Sequence, residues 1–163
     1  MDTLGHGFWM YAIFRKRRDV PFLVAGALAP DLWLWSAGLF MILTGRGGTL
    51  LRQGLDGLMG RPWVFAGDSL SHSLPLWSAV MVAALIGRFR AAAAVAAGAA
   101  LHIAVDLFTH RQFAPAYLYP FWSRPIAGWV ESGSWWFVGG DLAAMAAVFL
   151  FHWLRQRDTM KTG

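Results

Sequence analysis

Three basic clusters punctuate this chain: "RKRR" at residues 15–18, "GRFR" at 87–90 and "RQRDTMK" at 155–161. Between them run long apolar stretches with very little charge. Charge gathered at the ends of apolar runs is the layout of helices that cross a bilayer and anchor at its faces. Hydrophobic residues fill 57% of the 163 positions and charged residues only 14%, more apolar surface than one soluble domain could bury. Ten Trp and twelve Phe suit the headgroup boundary. The net charge of +5 is held in short flanking clusters rather than on one face, so no nucleic-acid partner is expected. With no Cys, disulfides and thiolate metal sites are excluded.

The reading is a single all-α domain over residues 1–163, a polytopic membrane bundle of four spanning helices plus a short N-terminal one. The short helix is expected over residues 4–14 and the spans over 20–44, 73–87, 91–109 and 135–154. Pro21 falls in a first turn, where its missing N–H costs nothing. The Gly-rich stretch 45–72 reads as a loop with an interfacial turn. The Pro- and aromatic-rich stretch 111–134 reads as a loop lying in the interface. The N-terminal apolar run precedes its basic cluster, the reverse of a signal peptide, and is expected to be retained. An alternating path puts all three basic clusters on one face, cytoplasmic by the positive-inside rule, and both long loops on the other.

Against this background a few polar groups stand out. "LHIAVDLFTH" carries His102, Asp106 and His110 four residues apart, along one helical stripe. At 1.5 Å per residue from the basic clusters, His6 lies about 14 Å deep, Asp31 about 17 Å and His102 about 18 Å. His72 and Asp106 lie deeper, at about 24 Å. An ionised Asp inside a bilayer is costly unless paired or bound to a cation. Imidazoles and carboxylates from several helices suit Zn²⁺, Mn²⁺ or Fe²⁺. His6, Asp31, His72, His102 and Asp106 are therefore the expected ligands of a mono- or dinuclear divalent metal site, zinc first among the candidates. Asp141 is expected to support that site, and Asp68 to sit in a loop or at a helix start. His152 reads as interfacial. Pro30 breaks its helix and is expected to free the carbonyl of Gly26. "AAGAA" at 96–100 is expected to make a close helix contact.

The chain also resembles the YdjM-type membrane-bound metal-dependent hydrolases of bacteria. The resemblance rests on "GH" at Gly5-His6, "LAPDLW" around Pro30-Asp31, "SHSL" at 71–74, and "HIAVDLFTH" followed by "LYPF". The chain departs from that pattern where it reads "PDLWLW" for "PDIDHP", and where Gly67 and Asp68 stand in place of a His and an Arg. The resemblance implies a bacterial inner-membrane location and hydrolysis by a metal-activated water. Asp31 or Asp106 would take the water's proton, and His110 or Ser71 would orient substrate or leaving group. Tyr117, Tyr119, Phe121 and Trp122 are expected to receive an acyl chain, which makes membrane lipids and a lipid or phospholipid-like ester the expected partners. Two other functions fit the same residues: an ion or proton-coupled transporter, and a non-catalytic protein with a structural metal. An enzyme needs a groove to its metal, whereas a staple encloses it.

Overall fold

The computed structural model describes residues 2–161. Among these residues there are eight helices and no strand: α1 (Thr3–Phe14), α2 (Val20–Leu28), α3 (Leu32–Leu43), α4 (Gly47–Met59), α5 (Pro62–Ser71), α6 (Leu74–Ile86), α7 (Arg90–Thr109) and α8 (Trp135–Lys161). Two are each long and apolar enough to cross a membrane, α7 and, over Trp135–Arg155, α8. Two more crossings arise if each bent pair is one span: α2 with α3, bent by 52°, and α5 with α6, bent by 40°. The expected four spans are thus two to four, according to whether bent pairs are counted.

The span over 20–44 is broken at Pro30, as its sequence led one to expect. Pro30 has no N–H to donate, and α2 stops at Leu28. The carbonyl of Gly26 is not the one released, because the Ala29 N–H reaches both it (3.2 Å) and the carbonyl of Ala25 (3.1 Å). The expected loop over 45–72 is also corrected, since it forms α4 and α5. Leu50, Leu51, Leu55 and Leu58 recur at helical spacing in α4, with Arg52, Gln53 and Asp56 between them, an amphipathic pattern that outweighs the glycines. Gly54 interrupts the helix with φ +56. Leu58 is buried while Leu51 is 90% exposed, so α4 lays one face on the protein. Pro62 occupies the first turn of α5, where no N–H is needed. α8 runs past its expected end at 154 to Lys161.

Packing is closest between α2 and α7. A Cβ on Gly26 would meet the Val95 carbonyl oxygen at 2.0 Å, and one on Gly98 would meet that of Leu23 at 2.1 Å. The contact expected at "AAGAA" is this one: two glycines let two backbones touch, as in membrane helix pairs. Met10, Leu23, Ala27 and Ala94 fill the space beside it. A second cluster, Ala37, Met41, Leu58 and Val64, joins α3, α4 and α5. α8 packs on α1, and none of its spanning window is fully buried.

Candidate metal centre

Both helix breaks carry a polar side chain. Asp31 follows Pro30 at the α2–α3 break, and His72 occupies the α5–α6 break. The unbroken α7 passes between them with His102 and Asp106 one turn apart, both buried. One donor atom from each of Asp31, His72, His102 and Asp106 lies within 4.8 Å of the others.

The distances fit a single cation. His102 Nε2 is 2.9 Å from Asp106 Oδ2 and 3.7 Å from Asp31 Oδ1, and His72 Nε2 is 3.5 Å from Asp31 Oδ1 and 3.7 Å from Asp106 Oδ2. Tetrahedral donors on bonds of 2.0–2.1 Å sit about 3.3 Å apart. Each imidazole is also set with its lone pair inward. His102 Nδ1 donates to the carbonyl of Ala27 at 2.6 Å, and His72 Nδ1 to the carbonyl of Asp68 at 2.9 Å. A ring that donates from Nδ1 presents bare Nε2, the form in which histidine binds metals. His102 Nε2 is buried with no hydrogen-bond partner, although a carboxylate oxygen lies 2.9 Å away. At that distance the two atoms can share either a proton or a metal ion. The four residues form a buried group able to hold a metal ion.

The backbone explains why these side chains meet. A helix leaves its last carbonyls without intrahelical donors, and the break at Pro30 makes that of Ala27 such an acceptor for His102. The groups released at His72 are taken up by the loop of residues 110–134. Leu74 N–H donates to the Tyr117 carbonyl at 2.9 Å, Ser73 Oγ to the Tyr119 carbonyl, and Ala116 N–H to Ser69 Oγ at 3.2 Å. The return limb of the same loop caps α7: Trp129 and Val130 donate to the Phe108 carbonyl at 3.0 and 2.9 Å, Ser132 to that of Thr109 at 2.9 Å. Gly128 N–H reaches the His110 carbonyl at 2.7 Å, where a Cβ would lie 2.8 Å from the Phe108 backbone. Loop and helix breaks thus fix the register of one another.

Several expected residues take other places. His6 is in the cluster but not among the four donors. Its Nε2 donates to Asp106 Oδ1 at 2.9 Å, and its ring stacks on His102 with centroids 3.7 Å apart. Equal depth had placed it with the ligands, but depth says nothing of facing. His110 Nδ1 lies 3.1 Å from the same Oδ1. Asp141 accepts from Trp9 Nε1 at 2.7 Å, tying α8 to α1 instead of supporting the centre. Ser71 Oγ donates to the Asp68 carbonyl at 2.9 Å and is not in the cleft wall. Asp68, expected in a loop or at a helix start, is buried within α5, and its Oδ1 is 3.4 Å from His72 Nδ1. Its spacing could have revealed it: Asp68-x-x-x-His72 mirrors His102-x-x-x-Asp106. His152 lies within α8, partly buried, its ring 5.4 Å from that of Phe151.

A cleft of about 350 Å³ leads to the group, with Asp31, Asp68, His72, Asp106 and His110 in its wall. The apolar wall comes from Leu34, Leu55, Met59, Phe113 and Pro115. This corrects the expected acyl-chain residues. Tyr117 is fully buried, its hydroxyl has no hydrogen-bond partner, and burial pushes its pKa above that of an ordinary phenol. Phe121 is 83% exposed and Trp122 52% exposed, and neither they nor Tyr119 line the cleft. The loop doubles back, so Phe113, Pro115 and residues 131–134 line the cleft while Phe121 and Trp122 are exposed. Comparison of the chain with protein-family models, with curated proteins and with solved structures finds no match.

Proposed function

We propose that this protein is a membrane-embedded, metal-dependent hydrolase of a lipid-like ester, resident in a bacterial inner membrane. The observation carrying this reading is that three of the four convergent donors, Asp31, His72 and Asp106, line a cleft with an apolar wall. Two imidazoles and two carboxylates at near-tetrahedral spacing suit Zn²⁺ best, with Mn²⁺ and Fe²⁺ also accommodated by such donors. A cation bound there supplies acidification of a water and polarisation of the bond to be cut. His72, His102 and Asp106, all buried, hold it. The Asp31 side chain is 18% exposed, the most open of the four, and lines the cleft, where it is placed to accept the water's proton. His110, in the same wall, orients the leaving group.

The resemblance to YdjM-type hydrolases supports this reading, and its two departures turn out to touch. A Cβ on Gly67 would lie 2.0 Å from Trp33 Cε2, so the Trp of "PDLWLW" fills the space that a side chain at 67 would need. The helix breaks would also suit a transporter. Against that, the cluster packed toward the basic clusters, Met10, Leu23, Ala27 and Ala94, is apolar, where a transporter would need polar groups.

Elemental analysis of purified wild type, His102→Ala and Asp31→Asn tests the reading. Wild type and Asp31→Asn should each hold about one ion per chain, and His102→Ala should lose it. Lipid-ester cleavage should vanish on chelation and fall about 100-fold or more in Asp31→Asn. Near-zero metal in all three proteins removes the mechanism.

A further inference from the structure

The cleft has a marked charge bias. Its wall holds the carboxylates of Asp31, Asp68, Asp106 and Glu131, and no Lys or Arg among the described residues. A divalent cation is balanced by Asp31 and Asp106 alone. Asp68 and Glu131 then leave the cleft net negative. Neither is free to swing away. Asp68 is buried, and Glu131 accepts backbone N–H groups of Gln112 at 2.9 Å and Gly133 at 3.4 Å. Sites that cut phosphate esters place Arg, Lys or several cations around the anionic group. Here the fixed charge has the opposite sign.

We propose that the cleft takes an uncharged acyl compound, a carboxylic ester or amide on an apolar chain, and rejects phosphate esters. The proposal rests on the hydrolase reading for its chemistry, but binding alone can test the claim about charge. Cleavage of such an ester adds the oxygen of water to the acyl carbon and breaks the acyl C–O bond. One water proton passes by way of Asp31 to the departing alkoxide, giving an alcohol and a carboxylic acid. Once ionised, the acid carries the same sign as Asp68 and Glu131, which favours its release.

The test uses the full chain in lipid nanodiscs, loaded with Co²⁺, whose visible absorption changes when a ligand reaches the metal. Two probes of equal chain length are titrated: decanohydroxamic acid, neutral in solution, and the anion decylphosphonate. Raising salt from low to physiological strength should tighten phosphonate several-fold by screening repulsion and leave the hydroxamic acid within about twofold. Glu131→Gln should tighten phosphonate about tenfold and leave the hydroxamic acid unchanged. Phosphonate that weakens with salt, or that is indifferent both to salt and to Glu131→Gln, overturns the proposal while leaving the metal centre standing. Failure of Co²⁺ to bind overturns the hydrolase reading, and this proposal with it.

Discussion

At the scale of single residues, Asp106 is the hub. One of its oxygens faces His102 and His72, the other faces His6 and His110. A carboxylate so placed cannot reorient when a cation arrives, and fixed donors bind more tightly than mobile ones. The roles of the two stacked histidines should then separate. His102→Ala removes a donor and should abolish stoichiometric metal binding. His6→Phe keeps a ring against His102 and removes only the bond to Asp106 Oδ1. It should weaken metal affinity about 10-fold and leave binding intact. Competition against a chromogenic chelator measures both, and loss of metal in His6→Phe would make His6 a ligand after all. The residues of α7 were legible from the sequence because a four-residue spacing on a helix fixes a shared face. His6 and Asp141 were placed by depth alone, which leaves the direction of a side chain undetermined. Asp68 was missed because its helix was read as a loop.

At the scale of elements, the site depends on two interruptions and one close contact. Pro30 leaves the Ala27 carbonyl for His102, and Gly26 and Gly98 let α2 come near enough for that bond to form at 2.6 Å. Pro30→Ala restores an N–H and a helix-compatible residue, so the break can heal and the Asp31 N–H can claim that carbonyl. Helix interiors favour this by about 3 kcal/mol relative to proline. The metal-free variant should therefore melt higher than wild type while its metal affinity falls about 10- to 100-fold, because His102 loses the acceptor that orients it. Lower melting with unchanged affinity would show that the break is not what supplies the acceptor. Gly98→Leu should act differently. Its side chain meets the α2 backbone, which cannot yield as a side chain can. The cost should reach about 3 kcal/mol, a melting temperature lower by about 10 °C, with metal lost as well. The contact at Gly98 was legible because a lone Gly in an Ala-rich helix has few other uses in a membrane. The bend at Pro30 was legible only as a break, since sequence does not say which carbonyl a distant imidazole will find.

At the scale of the whole molecule, the basic residues are unevenly spread along the chain. Nine of the fourteen cations lie in the three clusters; the other five are Arg46, Arg52 and Arg61, in or beside α4, and Arg111 and Arg124, in the loop of residues 110–134. The clusters follow α1 and α6, precede α7, and fall in the last turns of α8, so with each bent pair counted as one span an alternating path gathers them on one side. The positive-inside rule predicts that side to be cytoplasmic. The cleft is lined from α3, α4, α5, the end of α7 and the loop of residues 110–134, and the apolar cluster around Met10 packs nearer the basic clusters. Substrate should therefore reach the metal centre from the outer leaflet or the periplasmic face. The absence of Cys allows a direct measurement, because single thiols can be introduced without removing native ones. Ser132→Cys, in the cleft wall, should react with a membrane-impermeant maleimide in intact cells with a permeabilised outer membrane. Lys16→Cys, in the first cluster, should react only after the inner membrane is opened. The five cations outside the clusters make the measurement decisive, since a reversed chain would place them inside and swap the two labelling patterns. A cleft that labels only from the cytoplasm would place the chemistry on the inner leaflet, and the same donors would then serve a different pool of lipid.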